Sequence, residues 1–299
     1  MKGVENMKGN KRRWRKEKAV PYLFISPFIL SFLMFFVYPT FYSLYLSFHS
    51  YKGYGKMRYV GLKNYNNLIH YDTMWKCLEN TFFYFIVSFI LIMTISFTLA
   101  LLVRTKTASR FQPIYKPMIF LPQVCAIVAT SLSFKVIFGS NVGVINQLLK
   151  TNLPFLSDLT LMRWVVVVLI TWRGAAWYFI IYLAGMTSIN NELLEAARID
   201  GASSIQEITH IIIPLMRPTF VLAFVTNAIN SFKLYTEPNL LLAQNFDPPM
   251  QVAPYINIIM NNIYGGNFGM ASAAGWLLVI IIMILTFVQL KLIGGGENA

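Results

Sequence analysis

Six long apolar stretches dominate the hydrophobicity pattern of the chain, and polar segments separate them. They cover approximately residues 20–47, 81–103, 114–138, 163–187, 212–237 and 270–291. A helix of about 20 apolar residues is long enough to cross the ~30 Å hydrocarbon core of a bilayer. The pattern therefore predicts an all-α polytopic membrane protein with six transmembrane helices.

The composition agrees with this prediction. The chain has 299 residues, is 56% hydrophobic and only 12% charged, and has a mean hydropathy of +0.55. Soluble domains carry about 25% charged residues. The net charge of +13 would suggest nucleic-acid binding in a soluble protein, but positive charge also collects in the short cytoplasmic segments of membrane proteins. We therefore expect contact with membrane lipid and no nucleic-acid partner.

The distribution of Lys and Arg predicts the orientation. A basic tail, residues 1–18, precedes the first apolar stretch, and a second basic segment, residues 104–116, follows the second stretch. Both are expected on the cytoplasmic side, and an even number of spans returns the C-terminus to that side. The outer loop 244–269 has no Lys or Arg. The first outer loop departs from the rule, because it carries five basic residues: Lys52, Lys56, Arg58, Lys63 and Lys76.

Motifs of enzyme chemistry are missing from the sequence. It contains no GxSxG, no HExxH and no GxxxxGK[ST] phosphate loop. The glycine-rich "GSNVGV" at 139–144 is not followed by Lys, and the two cysteines, Cys77 and Cys125, have neither disulfide nor metal-ligand spacing. We therefore expect no catalytic residue, no metal site and no cofactor on this chain.

A short polar segment, "NELLEAARIDGASS" at 191–204, separates the fourth and fifth apolar stretches. Asn190 or Asn191 is a suitable N-cap, and Gly201 can take the left-handed conformation that ends a helix. Ser204 and Glu207 have the spacing of a capping box for a second helix. The segment therefore predicts a helix, a glycine corner and another helix on the cytoplasmic side.

Two interpretations of this corner differ in what it contacts. It could lie on the inner leaflet as an amphipathic helix, or it could bind another protein. The segment carries three acidic residues against one Arg, whereas helices that lie on anionic membranes are usually basic. This balance favours a protein partner.

Several stretches resemble one family. "ELLEAARIDGASSIQEITHIIIPLMRPTF" at 192–220 is similar to the EAA signature of permease subunits of binding-protein-dependent ABC importers. Residues 21–48, 59–69 and 78–84 are similar to the first span, the first outer loop and the start of the core in the carbohydrate group, which includes maltose-type and glycerol-phosphate-type permeases. One departure is Asn190, where the family usually has Pro. The opening and the ending resemble the first permease of a heterodimeric pair.

The resemblance implies a type I ABC importer permease in which the signature helix is a coupling helix. The residues expected to contact the ATPase are Glu192, Glu195, Ala196, Ala197, Arg198, Asp200, Gly201 and Ala202. It also implies four partners: a second, non-identical permease, a cytoplasmic ATPase dimer that holds the ATP and Mg, an extracytoplasmic solute-binding protein and a carbohydrate. The expected location is the plasma membrane of a prokaryote.

These expectations divide the chain into four parts. Residues 1–18 form the cytoplasmic tail, and residues 19–79 form the first transmembrane helix and its outer loop. Residues 80–291 form a five-helix core that contains the coupling loop 190–214. Residues 292–299 form the C-terminal tail.

Polar and aromatic residues inside the fourth and fifth spans are candidates for the substrate pathway, because such residues commonly face a cavity. They are Trp172, Arg173, Trp177, Asn227, Asn230, Lys233, Tyr235 and Glu237. Lys233 and Glu237 are four residues apart on the predicted fifth span, so they could pair with each other. They could instead cap the outer end of that span and pair with the partner permease. The tryptophans could simply be packing residues. Arg173 and Lys233 add an anionic saccharide to the candidate substrates.

Three other functions remain as alternatives. A non-sugar solute such as a glycerol phosphate would fit the same family. A self-sufficient secondary transporter would show two similar halves, and no such repeat is visible. A membrane-embedded enzyme would need convergent acids, bases or metal ligands within the spans.

Overall fold

A computed structural model describes residues 21–104, 112–139, 143–242 and 248–294. The predictions for the tail 1–18, for residues 105–111 of the basic loop, for residues 140–142 of the glycine-rich segment and for residues 295–299 lie outside this part.

The described chain is mostly helical, with one small antiparallel sheet near its start. The strands are β1 His49–Ser50 and β2 Arg58–Tyr59. The helices are α1 Pro21–Ser47, α2 Lys63–Ile69, α3 Asp72–Arg104, α4 Gln112–Val124, α5 Ile127–Ile137, α6 Val144–Leu149, α7 Leu159–Thr187, α8 Asn191–Ile199, α9 Ser204–Leu215, α10 Arg217–Phe232, α11 Thr236–Leu242, α12 Ile256–Tyr264 and α13 Phe268–Gly294.

Four of the described helices are individually long and apolar enough to cross a membrane: α1, α3, α7 and α13. Two further pairs qualify only if each bent pair counts as one span, which gives up to six. The pair α4–α5 bends by 91° and the pair α9–α10 by 69°. The sequence therefore located the apolar segments, but it did not predict how sharply the chain turns within the third and fifth spans.

Both bends lie beside prolines. Pro117 and Pro122 lie inside α4, just before the first bend, and Pro214 and Pro218 flank the second bend at Met216. Proline removes a helical N–H and clashes with the preceding turn, so it weakens the helix at these points. The freed backbone groups must find other partners inside the protein.

The centre of the fold is the contact between α3 and α7, which pack along much of their lengths. Ser96 on α3 donates a hydrogen bond of 3.1 Å to the carbonyl of Ala175 on α7. Nearby, the fully buried ring of Tyr182 lies between Phe97 and Phe220, at centroid distances of 5.7 and 5.2 Å. This aromatic cluster joins α10 to the α3–α7 pair.

An irregular segment near residues 250–255 is hydrogen-bonded to the N-terminal part of α3. The side-chain amide of Asn80 donates to the carbonyls of Gln251 and Ala253, each at 2.9 Å. The hydroxyl of Tyr84 donates to the carbonyl of Val252 at 2.6 Å, and Thr81 accepts the N–H of Tyr255 at 2.8 Å. These bonds satisfy buried backbone groups that have no secondary structure of their own.

In the described part of the chain, the first helix packs against the rest of the fold through its C-terminal half. There, Trp276 on α13 donates to the hydroxyl of Ser43 at 3.2 Å. Residues 21–37 are exposed or half-buried throughout, although nearly all of them are apolar. Within the described chain, the N-terminal half of α1 therefore exposes an apolar surface.

Candidate functional site

The polar corner forms as a helix–turn–helix. The side chain of Asn190 accepts the N–H of Glu192 at 3.0 Å, so Asn190 is the N-cap of α8. Gly201 has φ of +82°, a left-handed conformation that glycine adopts without strain. Both local predictions are confirmed.

The predicted capping box at the start of α9 was wrong by one residue. Ser203 is the N-cap, and its N–H donates to the side-chain oxygen of Gln206 at 2.8 Å. Glu207 has a different partner. Its two carboxylate oxygens accept Nε and Nη2 of Arg198 at 2.7 and 2.9 Å. This hydrogen bond raises the pKa of the Arg198 guanidinium above its usual value.

The corner is attached to the body of the protein at few points. Leu194 is its buried residue on α8, and it joins a core cluster with Ile212 and Met216. Arg104, the last residue of α3, donates to the side-chain oxygen of Asn191 at 3.3 Å. The C-terminal end of α3 is therefore bonded to the corner, and Leu194 shares a core cluster with residues near the bend between α9 and α10.

The rest of the corner is largely exposed on the surface of the chain. Of the residues predicted to contact a partner, six are exposed and two, Ala197 and Ala202, are half-buried. The exposed six are Glu192, Glu195, Ala196, Arg198, Asp200 and Gly201. Two residues that sequence reasoning missed are Ile199 and Ile205, whose exposed fractions are 86% and 73%. The sequence did contain a signal for them, because a bulky aliphatic residue in so polar a segment indicates a candidate contact site.

We predict that the two partners of the Arg198–Glu207 pair respond unequally to substitution. The side chain of Glu207 is only 8% exposed, whereas that of Arg198 is 51% exposed. Arg198→Met leaves a buried carboxylate without its partner, which is costly, whereas Glu207→Gln leaves a cation that water can solvate. Amide hydrogen exchange across 198–207 should accelerate about tenfold or more in Arg198→Met and less than about threefold in Glu207→Gln.

Glu195→Gln is the control for this experiment. Glu195 is exposed, and no ion pair involves it in the described chain. Its amide exchange should match that of the wild type. If amide hydrogen exchange across 198–207 accelerated equally in Arg198→Met and Glu207→Gln, the prediction that the two substitutions differ would be contradicted.

A cavity of about 470 Å³ lies between α3, α4, α7, α10 and α11. Six of the eight predicted pathway residues line it: Arg173, Trp177, Asn227, Asn230, Lys233 and Glu237. Among the lining residues that sequence reasoning missed are Ser88, Gln123 and Tyr178. Gln123 could have been found, because it is a polar side chain within an apolar stretch.

Arg173 also holds the bend between α4 and α5. Its Nη1 donates to the hydroxyl of Thr130 at 2.9 Å and to the carbonyl of Cys125 at 3.5 Å. Carbonyls at the end of a helix have no partner within the helix. The guanidinium therefore supplies a donor where the third span is broken.

Lys233 and Glu237 do not lie on one helix, so that prediction was wrong. Helix α10 ends at Phe232, and α11 starts at Thr236 after a turn. No ion pair joins Lys233 and Glu237 in the part of the chain that the structure describes. The turn nevertheless brings both side chains to the same cavity.

The two remaining candidates lie outside the cavity lining. Trp172 packs against Phe134, with ring centroids 5.6 Å apart. The hydroxyls of Tyr235 and Tyr264 lie 3.4 Å from each other. For Trp172, the packing interpretation agrees with its contact.

Comparisons with known proteins identify the family of the chain. Residues 92–294 match the family described as binding-protein-dependent transport system inner membrane component. The chain is 29% identical, over 95% of its length and 93% of the relative's, to the arabinooligosaccharides transport system permease protein AraP of Bacillus subtilis (strain 168). It is 30% identical, over 97% of its length and 94% of the relative's, to the probable ABC transporter permease protein YesP of the same organism.

A solved structure shows the same fold. It is a chain of a bacterial ABC transporter involved in the import of the acidic polysaccharide alginate, with a TM-score of 0.83 at 22% identity. The match covers 96% of this chain and 99% of that one.

The fold and these matches define a membrane component of a transport system. The chain belongs to the family of binding-protein-dependent transport system inner membrane components, with the fold of a type I ABC importer permease.

Proposed function

We propose that the chain is a permease subunit of an ATP-driven importer for a carbohydrate, an oligosaccharide or a disaccharide, delivered by an extracytoplasmic binding protein. The observation that carries the proposal is near full-length similarity to a permease named for arabinooligosaccharides. The family match and the fold support the transport role.

The exposed corner α8–α9 is the proposed coupling helix, which docks on a subunit of a cytoplasmic ATPase dimer. Its exposed Ile199 and Ile205 support this role, because large apolar side chains on a polar surface indicate an interaction site. ATP and Mg belong to the ATPase in this proposal, since the sequence has no phosphate loop.

A second, non-identical permease is the proposed partner of α1. The inner half of that helix exposes Phe28, Phe32 and Phe36 along one side, where they stack on one another. Lipid covers the rest of this apolar surface. If each bent pair counts as one span, the chain has six spans. The distribution of Lys and Arg supports an orientation with both termini in the cytoplasm of a prokaryote.

The cavity that contains Arg173 and Lys233 is the proposed part of the substrate pathway on this chain. Its mixture of amides, aromatic rings and charges suits a hydroxyl-rich solute. Two cations against one Glu also suit an anionic saccharide. The same excess of cations supports the second candidate substrate, a glycerol phosphate.

Uptake into proteoliposomes tests the proposal. We expect transport of a saccharide that the binding protein retains only when both permeases, the ATPase, the binding protein and ATP are present. Transport driven by a proton or sodium gradient alone would instead identify a secondary transporter. Parallel assays with neutral oligosaccharides, uronate-containing oligosaccharides and glycerol 3-phosphate separate the candidate solutes.

A further inference from the structure

The first outer loop carries an uncompensated positive charge. The basic hairpin, residues 49–63, contains four exposed cations: Lys52, Lys56, Arg58 and Lys63. The sequence has no Asp or Glu between residues 49 and 71. Within the described chain, no ion pair involves any of the four. Lys76, the fifth cation of this loop, differs because it pairs with Glu79 at 2.7 Å.

The backbone of the basic hairpin is held in place. Strands β1 and β2 pair His49 with Tyr59, and the buried amide of Asn64 donates to the carbonyls of Ser47 and His49 at 2.8 and 2.9 Å. A Cβ at Gly53 would lie 2.6 Å from the ring of Phe268, so this glycine packs closely against the start of α13. The four cations are therefore carried by a backbone that is held in place by hydrogen bonds and packing.

These cations oppose the usual topology signal. Lys and Arg favour the cytoplasmic side of a membrane, whereas the proposed orientation places the basic hairpin outside. The four cations reduce the charge difference that orients the protein in the membrane, and they form no ion pair within the described chain. Their presence therefore suggests a function outside the fold, such as binding a partner. The exposed aromatic residues Tyr54 and Tyr59, at 79% and 69%, add the side-chain type that is enriched in protein interfaces.

We propose that the basic hairpin is a docking surface for an acidic patch on the solute-binding protein. This inference rests on the proposed function and its orientation. A transport system of this family meets a binding protein at its outer face, and four fixed cations without carboxylates complement an acidic surface. The rival partner is the anionic lipid headgroup. Lipid anchoring relies on long flexible side chains and does not require a held backbone.

Association kinetics test this surface. The assembled transporter in nanodiscs is exposed to the solute-loaded cognate binding protein, and the association rate is measured at several salt concentrations. We expect the wild-type rate to fall as salt rises. Lys56→Glu and Arg58→Glu should each lower the rate about three- to tenfold at low salt, and Lys56→Gln should lower it less. The differences in association rate between the wild type and the variants should become smaller at high salt.

Lys150→Glu is the matched control, since Lys150 is exposed, follows α6 rather than belonging to the basic hairpin, and undergoes the same charge change. Its association rate should stay within about twofold of the wild type. All variants should retain the basal ATPase activity of the assembled transporter, which shows that they are folded and assembled.

The lipid composition of the nanodiscs separates the two partners. We expect the same loss of association in purely phosphatidylcholine nanodiscs and in nanodiscs with phosphatidylglycerol. A loss only with phosphatidylglycerol would assign the cations to lipid and overturn the docking surface. Unchanged rates in Lys56→Glu and Arg58→Glu would also overturn it. If the wild-type complex shows no response to the binding protein, the proposed function itself fails.

Discussion

Replacing Ile199 with Glu is expected to abolish ATP-driven uptake while the chain remains folded. Ile199 is 86% exposed at the end of α8, so the substitution removes no internal contact. If the corner docks in an ATPase cleft, burying an aliphatic side chain there contributes about 1.5–3 kcal/mol, and a carboxylate in its place adds a desolvation cost. The affinity for the ATPase should fall more than tenfold, as measured by co-purification and stimulated ATP hydrolysis.

The control for this prediction is Leu292→Glu. Leu292 is also a highly exposed aliphatic residue on the proposed cytoplasmic side, but it lies near the end of α13 rather than in the corner. Uptake by Leu292→Glu should stay close to that of the wild type. Normal uptake by Ile199→Glu would mean that the corner is not the coupling surface.

Replacing Arg173 with Met is expected to open the bend of the third span and to lower uptake at least tenfold. Methionine keeps an unbranched apolar stem but cannot donate to Thr130 or to the carbonyl of Cys125. Hydrogen bonds that involve a charged group contribute about 1.5–3 kcal/mol each. The bend also shapes the cavity, because Gln123 lies just before it and Arg173 lines the same space.

The two native cysteines report on this bend directly. Cys125 lies at the break and is half-buried, whereas Cys77 is buried in the outer part of α3. In Arg173→Met, alkylation of Cys125 by a maleimide should accelerate while Cys77 stays protected. Trp172→Phe is the control, since this neighbour packs on Phe134 outside the cavity. An unchanged alkylation rate at Cys125 in Arg173→Met would show that the bend does not depend on Arg173.

Local rules predicted the features that depend on local chemistry. Apolar length located the spans, Asn190 capped α8, and Gly201 took the left-handed conformation. The capping box was misplaced because two adjacent serines fit the motif. The choice between them depended on Arg198, which holds Glu207 through a tertiary contact nine residues away.

The bends and the cavity could not be derived from single segments. Prolines marked weak points in the third and fifth spans, but the angle at each depends on neighbouring helices such as the one that carries Arg173. Likewise, no local signal ended α10 at Phe232, so Lys233 and Glu237 were placed on a continuous helix. They line the same cavity although a turn separates their helices, and a helical projection of the sequence does not include that turn.

Helix α3 joins the two faces of the molecule mechanically. At 1.5 Å per residue, its 33 residues form an uninterrupted rod about 50 Å long. Its outer part is bonded to the segment around Val252, and its last residue, Arg104, is bonded to the corner through Asn191. A long helix that is hydrogen-bonded near both ends can carry a displacement from one end to the other. We therefore expect a shift of the corner to displace the segment around Val252 through α3.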